Sequence, residues 1–134
     1  MKKDPLRILS HVILGVLILQ YLFGMAANLF VQFPDTTNEN AHWEFAKTQA
    51  TIVIHIVLAF LLVIASIVLL IRAIRRKDKN WIIAGSVGLF AMVAAFLSGA
   101  EFITTQADGY SYAMAVTFIL AFLSYGWGIY KSKK

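Results

Sequence analysis

The chain of 134 residues is 60% hydrophobic and 14% charged, whereas an ordinary soluble domain carries roughly 25% charged residues. Its net charge of +5 would suit a nucleic-acid surface in a soluble protein, but in so apolar a chain the basic residues read as orientation signals and as partners for anionic headgroups. With no cysteine, disulfides, thiol chemistry and iron–sulfur ligation are excluded.

Crossing a bilayer takes about 20 mostly apolar residues. Four stretches meet that length, about 8–31, 48–71, 81–102 and 110–130, and between them they leave no segment long enough for a separate soluble domain. The expected fold is therefore all-α: one polytopic transmembrane domain over 1–134, an antiparallel bundle of four helices.

The first span follows Lys2, Lys3 and Arg7. Its apolar run passes through Met25, Ala26 and Ala27 and continues through Leu29, Phe30 and Val31 with only Asn28 between. That exceeds the roughly 7–15 apolar residues of a signal-peptide core, so the span is expected to be retained. Gln20, Gly24, Ala27 and Asn28 form its small and polar face.

The segment 32–47 is the long loop. Pro34 and Asp35 favour a turn, and Thr36-x-x-Glu39 has the capping-box pattern, so a short helix is expected from near Thr37 through Ala41, His42, Trp43 and Phe45. This helix reads as an interfacial anchor, with a substrate-binding lid as the alternative. His42 is expected to be exposed.

The second span presents Glu44, Thr48, Thr51, His55, Ala59, Leu62 and Ser66 at helical spacing on one side, with Ile, Val and Leu elsewhere. A short polar turn, Arg75-Arg76-Lys77-Asp78-Lys79-Asn80, leads to the third span. That span has a wide small face of Ala84, Gly88, Ala91, Ala95 and Gly99, flanked by Ser98 and Glu101. The fourth offers Tyr110, Met114, Thr117, Ala121, Ser124 and Gly128. Lipid tails are as apolar as leucine, so membrane helices associate through small residues and interhelical hydrogen bonds, and these faces are the ones expected to meet. Small residues four apart, as at Ala95 and Gly99, would serve packing within the bundle, dimerisation or a flat ligand. Trp43, Trp81 and Trp127 stand at span ends, where an indole ring suits the headgroup level.

Charge fixes an expected orientation. Eleven of the twelve basic residues lie at the start, in the turn between the second and third spans, or at the end; only Lys47 lies in the opposite loops. Five of the seven acids (Asp35, Glu39, Glu44, Glu101 and Asp108) occupy those opposite loops. Basic loops stay cytoplasmic, so both termini are expected inside, with a multi-pass location in a plasma membrane of bacterial character.

Polar groups at membrane depth are costly and read by default as functional candidates. His55 lies about seven residues into the second span, roughly 10 Å deep at 1.5 Å per residue. Met114, Met25 and Ser98 fall near that level. An imidazole facing a thioether is the ligand set of a His/Met haem, and Gly24 and Gly99 would leave room for a macrocycle. Against this stands a structural role, with His55 hydrogen-bonded to Thr51 or Ser98. His11, near the cytoplasmic end of the first span, is expected at the interface. Glu101 is expected to be solvated or to bond Tyr110 or Tyr112. No His-x-x-x-His or Glu-x-x-His pattern occurs, and there is no phosphate loop, no Ser-His-Asp set and no pair of intramembrane carboxylates.

The chain resembles small four-helix bacterial membrane proteins of uncharacterised role. Through Leu19, Gln20 and Gly24, and through His55 with Leu58, Ala59 and Leu62, it is also similar to one four-helix half of the haem A synthases. That resemblance implies His55 as an axial haem ligand. The chain departs from the family at Ile56, where arginine is usual, and in lacking a second axial histidine on the fourth helix. The favoured expectation is a non-catalytic membrane subunit or interaction protein, a homo-oligomer or part of a larger complex, with no nucleic acid partner. The alternative is a haem b electron-transfer protein using His55 with Met114 or Met25. A third reading is a small carrier or quinone-site protein using His55 and Glu101.

Overall fold

A computed structural model describes residues 4–132, so Lys2, Lys3, Lys133 and Lys134 of the basic pattern lie outside the described residues. The described chain forms five helices: α1 (Pro5–Phe30), α2 (Glu39–Thr48), α3 (Ala50–Arg75), α4 (Lys79–Thr105) and α5 (Asp108–Lys131). Four of them, α1, α3, α4 and α5, are long and apolar enough to cross a membrane.

Local chemistry explains where each helix starts and stops. Asp4 caps α1 by accepting from the Leu6 amide, and Pro5 takes the first helical position, where a missing N–H costs nothing. The turn after α3 closes with the Asp78 amide on the Ala73 carbonyl while Lys77 adopts a left-handed φ of 55°. Asp78 then caps α4 by accepting from the Trp81 amide. One residue thus ends one helix and begins the next. At the other end of the molecule a single extended residue, Gln49, separates α2 from α3.

The short helix begins at Glu39 rather than near Thr37. Asn38 is its cap, its side chain accepting from the Asn40 amide, while the Thr36 hydroxyl accepts from the Asn38 amide two residues earlier. Asn competes well with Thr for this position, which moves the start by two residues.

Around the bundle the order is α1, α3, α4, α5, with α5 closing against α1. The half that carries the α3–α4 turn is densely packed. Leu17, Leu69, Trp81, Ala84, Ala91 and Tyr125 are buried there, and small residues set the approach distances. Trp81, expected at the headgroup level, stands at the start of α4 and is fully buried, because Gly128 of α5 leaves a notch that a Cβ would fill within 2.6 Å of the ring. Gly88 does the same for the Tyr125 ring. Two hydroxyls tie helices together: Ser10 donates to the Tyr125 carbonyl at 3.3 Å and Ser124 to the Ala84 carbonyl at 2.8 Å. Arg76 and Asp4 form an ion pair linking the end of α3 to the start of α1.

The expected inward stripes hold for α4 and for most of α3 and α5. Glu44 and Thr48 depart from theirs: Glu44 belongs to α2, is exposed, and pairs with Lys47 at 2.7 Å.

Candidate functional site

The other half of the bundle, the one bearing α2, is not filled. A cavity of about 350 Å³ lies between α1, α3, α4 and α5 under α2. It runs beside Ile52 to Leu62 of α3, ten residues and so about 15 Å. Its floor is Leu17, Leu62, Ala91 and Ala121; its roof includes Phe33, Trp43 and Gln106. No charged side chain lines it among the described residues.

The cavity exists because bulky residues stop pairing across the bundle axis. Ala95, Gly99 and Ala100 of α4 and Ala59 of α3 face it with little side-chain volume. On α1 and α5 the lining side chains Tyr21, Met25 and Ala115 are themselves exposed, so the wall between these two helices is open to whatever surrounds the bundle. Tyr21 stacked on Phe118, with ring centroids 5.2 Å apart, closes the lower edge of that opening.

His55 is one wall of the cavity. Its Nδ1–H donates to the Gln20 backbone carbonyl at 3.0 Å. A carbonyl only accepts, so this nitrogen carries the proton and Nε2 is left with its lone pair. The Gln20 side-chain amide donates to that lone pair at 3.1 Å. Both ring nitrogens are therefore held by one residue of α1. The Gln20 Oε1 is buried and has no partner among the described residues. Gly24 permits the arrangement: a Cβ there would lie 2.8 Å from His55 Cε1. Its missing side chain makes room for the imidazole.

Of the residues singled out from the sequence, the structure brings His55, Met25, Met114, Gly24, Gly99 and Asn28 to this cavity. A Cβ at Gly99 would lie 3.2 Å from the Met114 sulfur. Thr51, Ser98 and Glu101 are not among the lining residues. The partner of His55 is Gln20, where Thr51 or Ser98 was expected. Glu101 is exposed, and Tyr110 and Tyr112 are exposed as well. His11 is also exposed, with Nδ1 2.6 Å from the Arg7 carbonyl.

His42, expected to be exposed, is buried at 5%. It donates from Nδ1 to the Thr104 carbonyl at 3.1 Å, and the Trp43 indole N–H donates to the Thr104 hydroxyl at 3.1 Å. That hydroxyl donates in turn to the Ala100 carbonyl at 3.0 Å. Phe33 packs edge-on against His42, Phe45 and Phe102. The short helix is thus fastened to the end of α4 and forms the cavity's roof.

Gln20 is the residue that sequence reasoning placed on the right face without giving it a role. The available signal was its position, an amide in the middle of an otherwise apolar span, which needs a partner in a medium that offers none.

Among the described residues no three of His, Cys, Asp and Glu come together as a metal-binding group. Comparison with protein-family models, with curated proteins and with solved structures finds no match to this chain.

Proposed function

We propose that this protein is a non-catalytic, four-span protein of a cell membrane that binds a small apolar ligand within its bundle. In this reading the four long helices run antiparallel and both termini are cytoplasmic. The half carrying α2 then lies in the outer leaflet. The basic residues at the α3–α4 turn and at both chain ends, set against the acids of the opposite loops, support that orientation.

The cavity is the observation that carries the proposal. A volume of about 350 Å³ falls in the usual range for small-ligand sites, roughly 300–1,000 Å³, and the mix of apolar walls with a few polar groups is typical of them. An unfilled space of this size would otherwise be a net loss of packing. The lining offers no nucleophile with a base beside it and no paired carboxylates, so binding rather than turnover is what the geometry supports.

A haem reading keeps His55 and Met114 on the same cavity, but the Nε2 lone pair is already given to the Gln20 amide. An iron atom there would have to displace Gln20. The residues as arranged hold each other and do not present a ligand.

Binding is tested by native mass spectrometry of protein released from lipid nanodiscs. Wild type is expected to carry one small hydrophobic adduct, and Ala95→Phe, which fills the cavity, is expected to carry none. Equal adducts on both would refute the site, and a stable larger protein partner would favour the membrane-subunit reading instead. Orientation is tested with single cysteines in this cysteine-free chain. Asp108→Cys should react with an impermeant thiol reagent on intact cells, and Lys77→Cys only after permeabilisation.

A further inference from the structure

The cavity's shape, its opening and its surrounding charge together narrow the ligand. The geometry points to the hydrocarbon part of an uncharged amphiphile, admitted sideways from the outer leaflet between α1 and α5 with its polar head left at the α2 end. This rests on the ligand-binding reading above.

Shape comes first. The cavity of about 350 Å³ extends along about 15 Å of helix, an elongated apolar slot that a hydrocarbon chain enters lengthwise. The deep end is closed by Leu17, Leu62, Ala91 and Ala121, so the apolar end of a guest goes down and its head stays near the roof. A guest's polar head is expensive at depth, and in this orientation it remains at the interface.

The opening says where the guest comes from. Tyr21 and Met25 of α1 and Ala115 of α5 both line the cavity and face outward on the apolar surface of the bundle. At the top, α2 is held down by Thr104 through two hydrogen bonds, which closes the direct path from water. A guest already dissolved in the leaflet reaches the cavity past Met25 without disturbing that roof.

Charge selects the head. The polar groups near the roof are uncharged: Asn28, Gln106 and Ser111. At the same end of the molecule, Asp35, Glu39, Glu44, Glu101 and Asp108 are exposed and set five carboxylates against the single ammonium of Lys47, which is already paired with Glu44. A carboxylate or phosphate head at this rim would meet uncompensated negative charge. A hydroxyl or carbonyl head would meet hydrogen-bonding partners and no repulsion.

The test uses nanodiscs doped with equal amounts of monoolein, which is neutral, and oleate, which is anionic at pH 8, with bound lipid read by native mass spectrometry. Monoolein should be retained at one per protein and preferred by about tenfold, the factor that roughly 1.4 kcal/mol represents. Glu101→Gln combined with Asp108→Asn should bring oleate closer to parity. Ala115→Trp, which narrows the opening while leaving the floor intact, should slow the exchange of monoolein. Saturable oleate retention equal to or above that of monoolein would overturn the neutral-head inference and leave the cavity as a binding site. Retention of neither, in a folded protein, would overturn both.

Discussion

Replacing Gly24 by alanine tests the junction of α1 and α3 directly. The added methyl would sit 2.8 Å from His55 Cε1 and 3.2 Å from Nδ1. The ring cannot swing away freely, because both nitrogens are bonded to Gln20. Overpacking of this kind costs about 1–3 kcal/mol. Interhelical hydrogen bonds in a membrane add about 0.6 kcal/mol each when broken. Against this, alanine in place of glycine gains about 1 kcal/mol of helix propensity. The net expectation is a loss of about 1–2 kcal/mol. In a His55→Ala background the clash is gone, and the same substitution should gain about 0.5–1 kcal/mol. The two backgrounds should thus differ by about 2 kcal/mol, with a change of sign between them. Unfolding in mixed micelles at rising denaturing-detergent fraction would measure all four corners of the cycle. An equal cost of Gly24→Ala with and without the imidazole would refute the contact as described.

Gly88→Ala should be more damaging, by about 3 kcal/mol, because the methyl would enter the space of the Tyr125 ring where that ring is fully buried. Tyr125→Phe should change stability by less than about 1 kcal/mol in the same assay, since the buried hydroxyl makes no hydrogen bond of normal geometry and the Ser66 hydroxyl beside it already donates to the Leu62 carbonyl. A loss above about 1 kcal/mol would instead reveal a partner for that hydroxyl. An oxidised and dithionite-reduced absorption spectrum of protein made with ample haem should be featureless, because Gln20 occupies both ring nitrogens of His55. A Soret band lost in His55→Ala would restore the haem reading.

The four spans were legible because hydrophobic length and small-residue spacing are local properties of a sequence. The bundle faces of α4 and α5 followed from the same spacing. What the sequence concealed depends on relative height. Phe30 ends α1 ten residues past Gln20, while α3 starts only five residues before His55, so α1 stands about one and a half turns above the start of α3. Counting depth from each span's own end therefore misaligned Gln20 and His55 and pointed to Thr51 and Ser98 instead. The step left where α3 begins lower than α1 ends is the space that α2 occupies, which is why His42 is buried although its sequence neighbourhood is polar. The burial of Trp81 was hidden for a related reason: its place near a span end is local, but Gly128 on a different helix decides that it packs inward.

The cavity lies in one half of the bundle, and the dense, glycine-notched packing lies in the other. Compression acts on a protein through the internal void that unfolding eliminates. The apolar part of that void lies in the half beneath α2, the pocket beside Asp4, Asp78 and Lys131 at the other end being a polar surface hollow, so hydrostatic pressure has more purchase on one end of each long helix than on the other. Squeezed in a bilayer, the molecule would yield like a clothes peg, its mouth moving about a jaw of Trp81, Tyr125 and the glycines that grip them.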